Sequence, residues 1–135
     1  MTEATEADIP RILAMGRKFH TAAGVKAPYC ENTTANTVRS LIQSPDGVVF
    51  VSDAGMIGGA LTSAYCASNW KIAIEMFWWS EDRRGLRMLQ AFEDWAKRMG
   101  ADEVRMSTVQ GLDVAERILS RRGYTPSEIS HGKVI

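Results

Sequence analysis

The chain has 135 residues, 45% of them hydrophobic and 24% charged, which fits one soluble domain with a full core. Sixteen basic and sixteen acidic side chains cancel. That balance excludes a general attraction to nucleic acid or an anionic membrane and leaves any such partner dependent on a local patch.

No apolar run approaches the ~20 residues that cross a bilayer. The opening MTEATEADIP is acidic and lacks the apolar core of a secretory signal, so the expectation is a cytoplasmic protein. Cys30 and Cys66 have neither C-x-x-C nor Cys/His spacing. No metal site is expected from them, and two reduced thiols fit better than the single disulfide they could form.

From Asp8 to about Phe19, Ile9, Ile12, Leu13, Gly16 and Phe19 recur at helical spacing. Thr5 or Asp8 can cap that start, and Pro10 suits a first turn. Gly24 and Pro28 break the chain. Asn32 or Thr33 can cap a second, shorter helix carrying Val38, Leu41 and Ile42, closed by the turn Pro45-Asp46-Gly47.

The pattern then changes. Val48 to Ser52 reads as a strand, Asp53-Ala54-Gly55 as a hairpin turn, and Met56 to Cys66 as a second strand. Ala67-Ser68-Asn69 reads as another turn and Ile72 to Trp79 as a third strand. Helical period returns from Arg84 to about Met99, with Met88, Leu89, Phe92, Ala96 and Met99 on one stripe and Gly100 as the stop. Glu103 to Thr108 reads as a short strand. Ala115, Ile118 and Leu119 mark a last helix stopped by Gly123. Tyr124 to Ile129 and Gly132 to Ile135 read as terminal strands. The late strand, helix, strand unit implies a parallel crossover, hence a mixed, mostly antiparallel α/β sheet with helices on both faces.

That order resembles the GNAT family of acyl-CoA N-acyltransferases. Residues 3–10 resemble the opening of those domains, and Ile57-Gly58-Gly59 the start of their third strand. Glu75 to Trp79, Gly85 to Leu89 and Phe92 to Ala96 are similar to the central cofactor-binding segment. Arg122-Gly123-Tyr124 is similar to the closing strand start. The likeness spans nearly the whole chain, and the subgroup it resembles most is the small acetyltransferases of tailed-phage genomes. Such domains place a full strand before the first helix. Here only Thr2 to Thr5 is available, so that strand should be very short or absent.

The resemblance implies acetyl-CoA as cofactor and a primary amine, on a small molecule or a protein, as acceptor. Relatives are often homodimers. A pyrophosphate needs backbone N–H donors at a helix start and a glycine for close approach. Arg83, Arg84, Gly85, Leu86 and Arg87 supply such a turn. Cations at that helix end cost roughly a few tenths of a kcal/mol each unless an anion offsets them. The alternative is a solvated basic patch screened by Glu81 and Asp82. The family pattern Arg/Gln-x-x-Gly-x-Gly/Ala is altered: Gly85 takes the last position, Arg83 the first glycine's and Ser80 that of Arg/Gln, or the loop is shortened by two or three residues. The same resemblance assigns the backbones of Met76, Phe77 and Trp78 to the pantetheine arm.

Glu75 sits inside an apolar run, where burial should raise its pKa into the range of a general base. The alternative is an edge carboxylate that orients substrate. The family's usual general acid, a Tyr four residues before the closing glycine, is Leu119 here. Tyr124, Ser130 and His131 are the replacements on offer. Acceptor specificity is expected from Phe19, His20, Tyr29, Cys30 and Glu31, with Glu31 receiving an ammonium group, and from the loop Tyr65 to Trp70. The altered turn and the missing Tyr also fit a GNAT-like binding or structural protein without turnover. Nucleic acid, through Arg83, Arg84, Arg87, Arg121 and Arg122, is the least supported partner.

Overall fold

The structure is a computed structural model that describes residues 1–135. Its elements are β1 (Thr2–Glu3), a single 3-10 turn (Glu6–Asp8), α1 (Ile9–Ala23), α2 (Glu31–Gln43), β2 (Gly47–Ser52), β3 (Gly55–Ala64), β4 (Ala67–Ser80), α3 (Gly85–Arg98), β5 (Glu103–Arg105) and α4 (Asp113–Arg121). The five strands form one sheet in chain order. Pairing is antiparallel from β1 to β4 and parallel between β4 and β5. The first strand is as short as expected, with Thr2 opposite Val51 and Glu3 opposite Phe50.

Alternation along β2 divides the core into two. Val49 and Val51 face α1 and α2, where Ile9, Ile12, Met15, Val38 and Leu41 close over them. Val48 and Phe50 face the other way, against Met88, Phe92, Trp95 and Ala96 of α3. Phe92 and Leu89 are fully buried, and burial of each such side chain contributes about 2 kcal/mol. Helices therefore cover both faces.

Local chemistry sets the ends. The Thr5 N–H donates to Asp8 Oδ2 at 2.8 Å ahead of α1, and Pro10 sits in its first turn. Cys30 is the N-cap of α2, its Sγ accepting from the Thr33 N–H. Both cysteines are free and exposed.

The two central glycines of β3 have a steric cause. A Cβ on Gly58 would lie 2.4 Å from the Phe77 ring, and one on Gly59 would lie 2.2 Å from the Ile74 carbonyl oxygen and 2.8 Å from the Phe92 ring. A side chain at Gly58 would collide with its cross-strand neighbour on β4, and one at Gly59 with the β4 backbone and with the α3 cover.

Three expectations are corrected. The turn between β3 and β4 falls at Tyr65-Cys66, because Ala64 pairs with Ala67 and makes 67–69 part of the strand. β5 ends at Arg105, because its pairing with β4 stops there. The terminal strands at 124–129 and 132–135 do not form. Residues 125–135 are all exposed, and β propensity without a neighbouring backbone does not make a strand. No helix is long and apolar enough to cross a membrane.

Candidate functional site

β4 is 14 residues long but pairs with β5 only at Ile72, Ala73 and Ile74. From Glu75 to Ser80 its edge on the β5 side carries no strand, so the two parallel strands part into a fork. A bulge lies at the same place. Phe77 pairs with Gly58 and Glu75 with Gly59, leaving Met76 as the extra residue. A bulge re-aims the side chains after it. Phe77 and Trp79 turn to the α1/α2 core, and Trp78 turns to the α3 core. Met76 itself is exposed.

Glu75 stands at the crotch of the fork. Its partner Gly59 faces Phe92, which puts Glu75 on the α3 side of the sheet. It is the one buried charged side chain, 7% exposed. Ser107, two residues beyond β5, donates to Oε2 from both its N–H (3.1 Å) and its Oγ (3.0 Å). Oε1 has no protein partner, and no buried polar side-chain atom lacks one, so Oε1 keeps contact with solvent. Burial raises the Glu75 pKa above the ordinary carboxylate range, outweighing the two Ser107 bonds that lower it. One oxygen is thus held and the other is free to take a proton. The sequence marked Glu75 but not Ser107, which it placed inside the strand expected over 103–108 and which lies two residues beyond the actual strand end.

The far arm of the fork ends at the mouth of α3. The Trp78 indole N–H donates to the Gly85 carbonyl oxygen at 3.2 Å, tying strand to helix. Gly85 is buried against Ser80. The N–H groups of Gly85 and Leu86 donate to no protein acceptor. Arg83, Arg84 and Arg87 are exposed around them. Arg84 pairs with Asp82 at 3.5 Å, while Arg83 and Arg87 make no ion pair. One donor is occupied: Asp82 Oδ1 accepts the Arg84 N–H at 2.9 Å and the Ser80 hydroxyl at 3.0 Å. The Arg84 N–H is the main cause that holds the Asp82 carboxyl below its usual pKa. The mouth thus presents two free backbone donors beside a third that a carboxylate occupies.

The acceptor candidates gather elsewhere, between α1 and the start of α2. Phe19 packs on Trp79, ring centroids 5.8 Å apart. The His20 Nε2–H donates to the Ala27 carbonyl oxygen. The Tyr29 hydroxyl donates to the Leu13 carbonyl oxygen at 2.8 Å, and Arg17 lies 4.8 Å over the Tyr29 ring. Glu31 is paired with Arg17 at 3.0 Å, so an incoming ammonium would have to displace a guanidinium. An open groove of about 800 Å³ runs here past Leu13, Arg17, Lys18, Glu31 and Trp79. Trp79 links it to the end of β4. The expected loop from Tyr65 to Trp70 reduces to the turn Tyr65-Cys66 and the first residues of β4, at the other end of that strand, and even Trp70 lies about 16 Å along it from Glu75.

The general-acid candidates are not brought to the fork. The Tyr124 hydroxyl donates to Glu93 Oε1 on α3 at 2.9 Å, and burial and Glu93 raise its pKa strongly. Arg122 joins the same carboxylate and Gln90. His131 and Ser130 are exposed in the tail beyond, which makes no hydrogen bond. Leu119 is buried in its helix.

No protein-family model matches the sequence, and no curated protein matches it. Solved structures do. An acetyltransferase by prior assignment from Clostridium acetobutylicum, crystallised with acetyl-CoA, superposes with a TM-score of 0.77 at 10% identity, over 98% of this chain and 94% of that one. An aminoglycoside antibiotic 6'-N-acetyltransferase from Acinetobacter haemolyticus gives 0.72 at 14% identity, over 99% and 97%. A transcriptional regulator from Bacillus halodurans gives 0.76 at 15% identity, over 99% and 97%. The chain has the GNAT acetyltransferase fold. Identities this low carry the architecture, and the third name shows that function must be argued from the site.

Proposed function

We propose that this protein transfers an acyl group, acetyl in the first instance, from acyl-CoA to a primary amine on a small molecule or a protein. The observation that carries the reading is the fork: an unpaired β4 edge from Glu75 to Ser80 that ends at free N–H groups of Gly85 and Leu86. The residues present fit the cofactor. Free amides and unpaired Arg83 and Arg87 suit a diphosphate at a helix start, and buried Gly85 permits close approach. The Met76, Phe77 and Trp78 backbones offer strand-like hydrogen bonds to an amide-bearing arm.

Bound acetyl-CoA supplies an acyl carbon activated as a thioester. The chain's own contribution is to make the amine a nucleophile. An ammonium must lose a proton before it can attack, and Glu75 Oε1 is the acceptor for it, directly or through one water. Ser107 holds Oε2 and so aims Oε1. No general acid is invoked, because a thiolate is a fair leaving group and the Tyr124 hydroxyl is bonded to Glu93.

A second reading, a GNAT-fold binder without turnover, draws on Asp82 at the mouth and on Leu119 in the usual acid's position. Calorimetric titration with acetyl-CoA, followed by thiol release with a panel of amines, separates the two. Micromolar binding with amine-dependent release is expected. Binding without release with any amine favours the second reading, and no binding rejects both.

A further inference from the structure

The fork closes one residue below Glu75, where Ile74 of β4 pairs with Arg105 of β5. Just above that last backbone rung, a side-chain rung joins the two arms. Glu75 Oε2 accepts from the Ser107 N–H at 3.1 Å and from its Oγ at 3.0 Å. The space beneath is filled. On the α3 side, Ala73 and Phe92 are fully buried, and Val104 and Met106 pack against the same core. The Phe92 ring lies over Gly59, the residue paired with Glu75, so closely that a Cβ there would come within 2.8 Å of it. On the other side of the sheet, alternation puts Arg105 beside Glu103, and the two form an ion pair at 2.8 Å. A hydrocarbon chain turned that way would lie against paired charges and desolvate them.

We infer that the Glu75–Ser107 rung is the floor of the acyl site, and that Ser107 restricts the transferred group to acetyl rather than a longer acyl chain. The inference rests on the acyl-transfer reading and adds to it the class of acyl donor. The length of the open edge agrees. Glu75 to Ser80 spans about 17 Å at ~3.3 Å per residue. An extended pantetheine arm takes up most of that, roughly 14 Å at ~3.5 Å for every three bonds. An acetyl group fits the remainder. Each further methylene would have to lift Ser107 off Glu75 or displace packed side chains, and overpacking of that kind is costly. Ser107 thus does two things through one contact: it aims Oε1 and it ends the site.

Calorimetric titration of the full chain with CoA, acetyl-CoA and butyryl-CoA, with no amine present, reads the floor without turnover. The wild type should bind acetyl-CoA about as well as CoA, and butyryl-CoA about tenfold more weakly or worse, the scale on which a closed site rejects extra methylenes. Ser107→Gly removes the side chain but keeps the N–H donor, so it lowers the floor and spares the backbone bond to Glu75. In that variant the preference for acetyl over butyryl should shrink to about threefold or less. Ser107→Thr keeps the hydroxyl and adds a methyl, so the preference should hold or widen.

Equal affinities for acetyl-CoA and butyryl-CoA in the wild type overturn the inference and leave the acyl-transfer reading standing. An unchanged preference in Ser107→Gly, or a narrowed one in Ser107→Thr, overturns the role of Ser107. If Ser107→Gly does not fold, the wild-type series and Ser107→Thr decide. Failure to bind any of the three ligands rejects the acyl-transfer reading itself, and the inference falls with it.

Discussion

Trp78 and Gly85 are joined by the one side-chain bond that links the open arm of β4 to the first turn of α3, indole N–H to carbonyl oxygen. The bulge at Met76 makes it available by turning Trp78 to the α3 face. The bond fixes where the free amides of Gly85 and Leu86 point relative to the unpaired strand edge. Trp78→Phe keeps an aromatic side chain but loses the indole donor, together with part of the ring volume. It should lower stability by about 1 kcal/mol and weaken acetyl-CoA binding roughly fivefold, because the two halves of the cradle are no longer held in register. Thermal unfolding and calorimetry read the two effects separately. An unchanged affinity would show that the mouth is set by other contacts.

Glu75→Gln should cut turnover by ~10²-fold or more with cofactor affinity kept. The wild-type rate should rise with pH through the raised Glu75 pKa and then level. The same group leaves a mark on stability. Its folded pKa lies above the unfolded value, so between the two the folded state binds more protons and stability falls as pH rises. Above the folded value the loss is complete. Glu75→Gln should remove that slope and unfold at a higher temperature than wild type at neutral pH. Thermal scans across pH test this without any substrate. A parallel pH slope in the variant would mean that another group titrates.

Much of this frame was readable in advance. The stripe Met88, Leu89, Phe92 and Ala96 announced α3 because a helix repeats its buried face every turn. Gly58 and Gly59 were legible as a pattern, but their cause needed the positions of Phe77 and Phe92. Glu75 stood out as a charge in an apolar run. Ser107 did not, since its role depends on where β5 lets go of β4. The tail misled for a physical reason. Ile129, Val134 and Ile135 suggested strands, but Pro126 and Gly132 interrupt the segment, and a strand exists only where another backbone offers its bonds.

Gly85→Val should raise the acetyl-CoA dissociation constant by tenfold or more. A Cβ at this position would lie 3.3 Å from Ser80 Cβ and 3.7 Å from the Trp78 indole nitrogen, and valine adds two methyls beyond it. The helix start would be pushed off the strand end, and a β-branched side chain would stand in the approach to the amides. Gly85→Ala should show a weaker form of the same loss. Calorimetry on both gives a graded series. Equal affinity across glycine, alanine and valine would move the diphosphate site away from this turn.

Asp82 offers the sharpest test of whether the mouth of α3 binds an anion at all. Its carboxylate occupies the Arg84 N–H and pairs with the Arg84 guanidinium, so it stands where a diphosphate oxygen would draw on both. It also accepts the Ser80 hydroxyl and thereby shapes the turn. Removing it has two opposed consequences: one more backbone donor and one less negative charge for an incoming anion, against a looser loop. Exposed charge interactions near a helix end run to about 0.3–1 kcal/mol at low salt, roughly a two- to fivefold change in affinity. Asp82→Ala should therefore tighten acetyl-CoA binding severalfold at low ionic strength, and the gain should shrink as salt screens the site. Asp82→Asn keeps an oxygen for the Arg84 N–H and should gain less. If Asp82→Ala instead weakens binding at every salt concentration, the carboxylate is a scaffold for the loop. If neither variant changes affinity, the cofactor does not reach this mouth, and the arginines around it are a solvated surface.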